Sequence, residues 1–211
     1  MIRKVLVVDD EPVVLGAVCT ALKRDALELL TANAAPEALR LVGAEPIDLI
    51  ITDLMMPGMD GLQLLEELAK TGRKIPCIMI TGYPRIQTAL KAKRLGAFEY
   101  VTKPFTRDEL RSVVLRALRL AELPPESLAR DVEAAFVIPD HSWARVESDG
   151  TVTIGATRAM VCAMGTIEKI QCPADGTLLE QGHVGLALLA DDGVTHSLHT
   201  PVGGVVLASN P

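Results

Sequence analysis

Polar residues that could handle a phosphoryl group follow four short apolar runs in the first half of the chain. They are Asp9 and Asp10 after VLVV, Asp53 after LIIT, Thr81 after CIMI and Lys103 after EYVT. A carboxylate that accepts a phosphoryl group repels the incoming negative charge, so a divalent cation has to bridge the two. The carboxylates, the hydroxyl and the ammonium group together predict a phosphoryl-acceptor site built around Asp53.

The predicted cation is Mg²⁺, which binds a few carboxylate and carbonyl oxygens and keeps several waters. Its predicted ligands are the carboxylates of Asp9, Asp10 and Asp53 and the backbone carbonyl of Met55. Lys103 can pair with the phosphoryl oxygens as a point charge, and Thr81 can donate its hydroxyl to them. Any one of these residues alone is typical of a helix cap or a solvated side chain. The prediction depends on their joint placement.

The elements that must position these residues alternate between strand and helix five times in the first 121 residues. The predicted strands are 4–8, 28–32, 48–52, 77–81 and 99–102. This alternation favours a parallel sheet covered by helices, and nearly continuous apolar runs suit strands that are buried on both faces. In a doubly wound sheet the carboxyl ends of the strands share one edge, where ligands bind. All the candidate residues fall at that edge.

Two helices carry clear start signals. The first is predicted to begin near Pro12, a residue suited to the first helical position. The fifth begins with a capping box from Thr106 to Glu109. The predicted core-facing stripes are Val14, Ala17, Val18, Ala21 and Leu22 in the first helix, and Leu110, Val113, Val114, Ala117, Leu118 and Ala121 in the fifth.

Composition restricts the class of protein. The chain has 211 residues, 49% of them hydrophobic and 23% charged, which is typical of one or two globular domains. Its net charge of -6 argues against nucleic acid as the default partner. The four cysteines form no CxxC pair, which favours reduced core thiols over zinc or a redox couple. Neither a signal-peptide cleavage site nor a membrane-spanning apolar run is present, so we expect a cytoplasmic protein without a membrane partner.

A change in composition divides the chain near residues 122–136. The Pro124-Pro125 pair is expected to end the fifth helix, and we interpret 122–136 as a linker between domains at 1–121 and 137–211. Beyond the linker, glycine-rich turn signals separate short apolar runs. Asp149-Gly150 predicts a β-hairpin, and only 158–164 has a helical pattern. The segment 137–211 is therefore predicted to be a small all-β domain.

The first 121 residues resemble the receiver domain of two-component response regulators. The matching motifs are DDE at 9–11, TDLMMPGMDG at 52–61, TG at 81–82 and KPF at 103–105, with Tyr100 three positions before the lysine. The resemblance implies a flavodoxin-like, doubly wound, five-stranded parallel sheet in an α/β domain. It also implies a cis Lys103-Pro104 bond and a switch formed by Tyr100 and Thr81.

The same resemblance implies how the chain works. Asp53 is expected to take a phosphoryl group from a sensor histidine kinase or a small phosphodonor, with Mg²⁺ as cofactor and with Lys103 and Thr81 sensing the phosphate. The chain would then be a phosphoacceptor and not an enzyme, beyond self-catalysed phosphorylation and dephosphorylation. The fourth helix, fifth strand and fifth helix are the expected contact surface for an output protein, or a homodimer seam.

Residues 137–211 resemble the H protein of the glycine cleavage system, which belongs to the lipoyl and biotinyl carrier superfamily. The matching stretches are 138–157, 164–182 and 199–210. The resemblance implies a small all-β barrel-sandwich, or hammerhead. The family attaches lipoic acid to a lysine at a hairpin tip, through an amide that requires a primary amine. Aligned back from Pro201, that position holds Gly193, and no lysine follows Lys169. We therefore predict no lipoyl attachment.

Other chemistries find less support in the second half. His196 and His199 are three residues apart, which places their imidazoles on opposite faces of a strand and disfavours a metal site. The run 191–193 predicts a tight turn, with acidic recognition as the alternative. From residue 137 onward, three basic residues accompany eight acidic ones, a balance of -5. That balance disfavours DNA binding.

Together these patterns predict a cytoplasmic response regulator whose H-protein-like module acts through contacts with an unidentified output protein. One alternative is an accessory or decoy module for lipoyl or glycine cleavage enzymes under phosphorylation control. Another is a stabilising or dimerising appendage. A DNA-binding regulator is disfavoured by the charge balance.

Overall fold

The computed structural model describes residues 2–123, 136–138 and 141–209 of the chain. The chain divides into two compact units, Met1–Leu118 and Arg119–Pro211. The linker predicted at 122–136 falls largely on residues 124–135, which lie outside the described residues. The domain limits 1–121 and 137–211 therefore stay predictions.

A five-stranded parallel sheet forms the centre of the first unit, in the order β2-β1-β3-β4-β5. Its strands are β1 Arg3–Val8, β2 Leu27–Ala32, β3 Leu49–Asp53, β4 Cys77–Thr81 and β5 Glu99–Thr102. Its helices are α1 Pro12–Leu22, α2 Ala35–Ala44, α3 Gly61–Lys70, α4 Ile86–Arg94 and α5 Arg107–Leu120. The strand order reverses between β1 and β3. This topology confirms the predicted flavodoxin-like, doubly wound α/β fold.

The apolar strand sequences explain why β3 and β4 lie inside the sheet. Every residue of both strands is buried, as nearly continuous apolar runs require when helices cover both faces. Successive residues of β3 feed two separate clusters. Ile50 joins the cluster that contains Leu64 of α3, whereas Ile51 joins the cluster that contains Leu110 of α5. The sheet therefore lies between two apolar layers.

The predicted helix starts are confirmed, but one residue of each predicted stripe is wrong. α1 begins at Pro12, and the α5 capping box is formed by reciprocal bonds between Thr106 and Glu109 at 3.2 and 2.7 Å. Ala17 is exposed because it lies one position, about 100° of helix rotation, from buried Val18. Ala121 is exposed because α5 ends before it. Within the described ranges, no helix is both long enough and apolar enough to cross a membrane.

The second unit is a small β domain, as predicted. Its strands are β6 Phe136–Ile138, β7 Ser142–Val146, β8 Val152–Ala156, β9 Ile167–Gln171, β10 Leu178–Leu179, β11 Val184–Ala190, β12 Thr195–His199 and β13 Gly204–Val205. They form sheets in the orders β6-β7-β8, β12-β11-β9 and β10-β13. The helix predicted at 158–164 is present as α6, Arg158–Met164. Within the described residues, this unit therefore consists of short antiparallel strands and one helix.

Local sequence signals explain the start of this domain. β7 and β8 form the hairpin predicted at Asp149-Gly150, where Gly150 has a φ of 84° and Asp149 accepts a bond from the Thr151 amide at 2.9 Å. Thr157 caps α6 by accepting from the Met160 amide at 3.3 Å. Met160, Met164, Leu188 and Leu198 form a buried apolar cluster in this domain.

Candidate functional site

Four strand ends bring the predicted site residues to one edge of the parallel sheet. Asp9 directly follows β1, Asp53 ends β3, Thr81 ends β4 and Lys103 directly follows β5. The ladder of backbone hydrogen bonds extends to this edge, because the Asp9 amide donates to Ala32 at 3.2 Å and the Lys103 amide donates to Thr81 at 2.7 Å. β1 and β3 flank the reversal of strand order, where folds of this kind bind ligands.

An ammonium group joins two buried carboxylates at this edge. Lys103 Nζ donates to Asp53 Oδ1 at 2.6 Å and to Asp9 Oδ2 at 2.8 Å. Asp9 is 2% exposed and Asp53 is 6% exposed, so water screens their charges poorly. Two carboxylates this close in a buried site repel each other unless a cation lies between them. Lys103 supplies that cation.

The ionic contacts keep Lys103 charged. Burial alone lowers its pKa, but the hydrogen bonds to Asp53 and Asp9 outweigh burial and raise the pKa above its ordinary value of 10.5. The ammonium group is therefore protonated at neutral pH, and both of its bonds to carboxylates are charge-assisted.

Backbone amides hold the remaining oxygen of each carboxylate. Asp53 Oδ2 accepts from the Met55 amide at 2.5 Å, and Asp9 Oδ1 accepts from the Glu11 amide at 2.9 Å. Each carboxylate thus has one oxygen on a backbone amide and the other on Lys103, which fixes its orientation. The motif at 52–61 includes Gly61 but gave it no role; an added Cβ there would clash with the Asp53 carbonyl oxygen. Its position just after the β3 turn was the available signal.

The donor set at this edge fits Mg²⁺. Asp9 and Asp53 offer hard carboxylate oxygens, which Mg²⁺ prefers over nitrogen or sulfur ligands. Asp10 is exposed beside Asp9, and Met55 lies in the turn that follows Asp53. Among the residues that the structure describes, no three His, Cys, Asp or Glu side chains form a ready metal group. The centre is therefore a carboxylate pair, with Asp10 and the Met55 carbonyl as adjacent oxygen sources.

Thr81 lies at this edge as a fully buried residue. Its Oγ1 accepts from the Tyr83 amide at 3.1 Å. A hydroxyl that accepts in this way still has its own proton to donate. The expected cis bond between Lys103 and Pro104 is present.

Tyr100, the expected switch residue, is half-buried on β5 and packs against the cluster on the α3 side of the sheet. Its hydroxyl oxygen lies 3.1 Å from Thr88 Oγ1 on α4. Sequence reasoning did not single out Thr88, because no motif or helical spacing relates it to Tyr100.

In the second unit, the position aligned with the lipoyl lysine lies in the tight turn predicted between β11 and β12. Gly193 has a φ of 74°, in the left-handed region that favours glycine, and its amide donates to Ala190 at 2.9 Å. The Asp192 carboxylate accepts from the Val194 amide at 2.9 Å. Lys169, the last lysine of the sequence, is exposed on β9. The turn therefore presents no primary amine.

The histidines of this unit are arranged as predicted with respect to β12. His196 is fully buried, whereas His199 is exposed, so the pair lies on opposite faces of the strand. His199 Nδ1 lies 3.3 Å from His141 Nε2, and the two rings stack with centroids 5.3 Å apart. This pairing joins residues far apart in the chain, so sequence spacing could not have indicated it.

The cysteines are all free, but the prediction that they lie in the core is confirmed only for Cys77, since Cys19 and Cys172 are half-buried and Cys162 is exposed. Cys77 is fully buried in β4, and burial raises its pKa to about 12. Cys162 is exposed on α6. Its place in the apolar run RAMVCAM suggested burial, but it lies on the side of this short helix that faces solvent.

A parallel sheet of this order, with two carboxylates and a lysine where the order reverses, defines a receiver module of the two-component kind. The chain belongs to the response regulator receiver domain family, whose model matches residues 5–115. The Glycine cleavage H-protein family model matches residues 136–211. Both resemblances noted from the sequence motifs are thereby confirmed.

Known proteins match the receiver half. Regulatory protein AtoC of Escherichia coli (strain K12) is 39% identical over 125 residues, which are 59% of this chain and 27% of AtoC. Response regulator protein PilR of Pseudomonas aeruginosa is 38% identical over 118 residues, 56% of this chain and 26% of PilR. A crystal structure of a response regulator receiver domain protein from Clostridium thermocellum is 35% identical, with a TM-score of 0.52, and covers 56% of this chain and 94% of that one. The chain spans about a quarter of the length of these two curated relatives.

Proposed function

We propose that this chain is a cytoplasmic response regulator that accepts a phosphoryl group on Asp53 from a sensor histidine kinase or a small acyl phosphate. The observation that carries the proposal is the Lys103 ammonium group, 2.6 Å from Asp53 and 2.8 Å from Asp9 at a buried sheet edge. Family membership supports it, because receiver domains characteristically bind Mg²⁺ at the phosphorylation site and are phosphorylated by sensor kinases. Response regulators are generally not enzymes.

In the proposed transfer, a carboxylate oxygen of Asp53 attacks the phosphorus of the donor and forms an acyl phosphate. The P–N bond of a phosphohistidine, or the P–O bond of an acyl phosphate, breaks at the same time. The leaving group keeps the bonding electron pair; an imidazole leaving group also takes up a proton. No oxidation or reduction occurs.

The proposed Mg²⁺ ligands are the carboxylates of Asp9, Asp10 and Asp53 and the carbonyl of Met55. When bound, the ion offsets the repulsion between carboxylate and phosphoryl oxygens. Lys103 exchanges its bond to Asp53 for one to a phosphoryl oxygen, which keeps its positive charge paired. Thr81 donates its hydroxyl to another phosphoryl oxygen. Thr81 and Tyr100 then form the switch that reports phosphorylation.

The H-protein-like module is proposed to act through contacts with an output protein and to carry no lipoate. Gly193 stands where the family's alignment requires a lysine, and its left-handed backbone suits glycine. The balance of -5 over residues 137–211, from three basic and eight acidic side chains, opposes contacts with DNA phosphates. A protein partner, or a second copy of this chain, is therefore the proposed recipient of the signal.

A second candidate function is favoured by the match of residues 136–211 to the Glycine cleavage H-protein family. In this alternative, the module docks on lipoyl-handling enzymes as a carrier-like surface without lipoate, under control of the receiver. Co-purification of lipoyl enzymes with the tagged chain would support it. Their absence from both the phosphorylated and the unphosphorylated chain would exclude it.

The test of the leading proposal is phosphoryl incorporation from acetyl phosphate in the presence of Mg²⁺, measured by intact mass. Asp53→Asn should abolish incorporation, because an amide cannot form the acyl phosphate. Asp108→Asn, which removes an exposed carboxylate from the first turn of α5, should incorporate like the parent chain. Chelation of Mg²⁺ should stop incorporation into the parent. If Asp53→Asn is labelled as fast as the parent, the proposed site is wrong.

A further inference from the structure

The bond between Tyr100 and Thr88 has a definite direction. Thr88 Oγ1 donates to the Arg85 carbonyl at 2.8 Å and lies 3.1 Å from the Tyr100 hydroxyl. A threonine hydroxyl has a single proton and two acceptor lone pairs. Because Thr88 already donates that proton to the Arg85 carbonyl, the Tyr100 hydroxyl is the donor of the second bond and Thr88 is its acceptor.

The register of the sheet places Tyr100 on the same face as Thr81. Tyr100 pairs with Met79, and Thr81 is two residues further along β4. Side chains two apart on a strand lie on the same face, so Met79, Thr81 and Tyr100 share one side of the sheet. Met79 and Tyr100 belong to the same apolar cluster, in agreement with this placement. A rotation of the Tyr100 ring along this face can therefore carry its hydroxyl from α4 toward the phosphoacceptor edge.

We propose that Thr88 is a positioning residue whose hydroxyl holds Tyr100 on α4 and so opposes the conformer in which Tyr100 turns toward Thr81. This inference rests on the proposed function of Asp53, because it makes the Thr88–Tyr100 bond the contact that phosphorylation must break. Tyr100 and Thr88 are both half-buried, so water can replace the lost partner of each. The bond therefore shifts the ratio of the two Tyr100 conformers but does not fix Tyr100 in either one. Removal of one such neutral bond shifts the ratio of conformers on the order of fivefold.

A purely structural role for Thr88 makes a different prediction. Thr88 is in the first turn of α4, and its bond to Arg85 could act on that turn alone. Tyr100→Phe removes the tyrosine hydroxyl and leaves the Thr88–Arg85 bond intact. If Thr88 acts through Tyr100, substitutions at the two positions will be non-additive.

The experiment uses the full chain with beryllofluoride as the stand-in for the phosphoryl group. The chain contains two tyrosines, and Tyr83 is 73% exposed, so Tyr83→Phe leaves Tyr100 as a single fluorotyrosine probe for ¹⁹F NMR. Without beryllofluoride, Thr88→Val should move the Tyr100 resonance toward its position in the beryllofluoride-bound parent. Thr88→Ser, which keeps the hydroxyl, should leave it unchanged. By calorimetry, Thr88→Val should lower the dissociation constant of beryllofluoride about fivefold in the chain that keeps Tyr100 and leave it unchanged in Tyr100→Phe.

Two outcomes would overturn the inference. One is an unchanged Tyr100 resonance in Thr88→Val. The other is an equal change of beryllofluoride affinity whether Thr88→Val is made in the parent chain or in Tyr100→Phe, which would mean that Thr88 acts only through α4. A failure of the proposed function is distinguishable, because Asp53→Asn would then still bind beryllofluoride. The resonance difference between Thr88→Val and Thr88→Ser would nevertheless report the bond in the unliganded chain.

Discussion

In the receiver unit, Asp9, Asp53 and Lys103 lie at three strand ends and are joined by short hydrogen bonds. In the β unit, the turn at the aligned carrier position holds Gly193, which has no side chain to modify. Each unit matches a family model, and the candidate reactive residues that the described structure brings together lie in the first unit. The difference shows that a family match does not require a lysine at the aligned position, because a tight turn between β11 and β12 depends on suitable backbone angles and not on that side chain. We therefore expect a substitution at Lys103 to reduce phosphoryl incorporation strongly. We also expect a lysine at position 193 to make the second unit a substrate for lipoyl attachment.

The largest expected effect follows from removal of the Lys103 ammonium group, which lies between the carboxylates of Asp9 and Asp53. Lys103→Met keeps the aliphatic stem but removes the ammonium group. Phosphoryl incorporation should fall about a hundredfold, since one positioned donor at developing charge is worth roughly that much. The free energy of unfolding at neutral pH should fall by about 3 kcal/mol, because two buried carboxylates lose their shared partner. Acetyl phosphate labelling and denaturant unfolding measure the two effects.

Lys70→Met is the matched control. Lys70 pairs with Glu67 on the surface of α3 and its side chain is 69% exposed, so its loss should leave both the labelling rate and the free energy of unfolding close to those of the parent chain. Equal labelling rates for Lys103→Met and Lys70→Met would show that Lys103 takes no part in phosphoryl transfer.

An intermediate effect is expected from restoring an amine to the β unit. Gly193→Lys should become a substrate of a lipoate-attaching ligase, whereas the parent chain should not. Gly150→Lys is the control, since Gly150 also lies in a hairpin turn at a positive φ, 84° against 74° for Gly193. Each substitution should cost about 1 to 2 kcal/mol of stability, because a side chain strains a left-handed residue. Intact mass distinguishes the variants; modification of both, or of neither, would contradict the alignment of Gly193 with the carrier position.

The smallest expected effect concerns alkaline pH. The pKa of Lys103 is raised above 10.5 in the folded chain, so its ionic stabilisation is complete below pH 10.5 and is lost as pH rises through the folded pKa. The difference in unfolding free energy between the parent and Lys103→Met should therefore be constant at lower pH and shrink above pH 10.5. Other titrating groups cancel in this difference. A difference that grows with alkaline pH would contradict the raised pKa.

Sequence patterns predicted the receiver fold well because its strands are continuous apolar runs that end in polar residues. β4 and β5 match the predicted ranges, and β1, β2 and β3 differ by about one residue. The candidate edge could be predicted because parallel strands end together. The pairing of Lys103 with Asp9 could not be predicted, because the two residues are 94 positions apart and only the folded sheet brings them within 2.8 Å. Thr88 was missed for the same reason: its bond to Tyr100 depends on how α4 packs against β5.

The exposed thiol of Cys162 shows a second limit of sequence patterns. An apolar run as short as α6 does not reveal which of its faces the domain covers. Ala17 of α1 shows the same limit, because exposing a small apolar side chain at the edge of the core-facing stripe costs little free energy.

The central contrast between the two units can be tested by one mass measurement. The parent chain is incubated with acetyl phosphate and Mg²⁺ together with a lipoate-attaching ligase, lipoate and ATP, and its intact mass is compared with that of Asp53→Asn. We expect a single phosphoryl group on the parent, none on Asp53→Asn, and no lipoyl group on either chain. A lipoyl group on the parent, or a phosphoryl group retained by Asp53→Asn, would contradict this expectation.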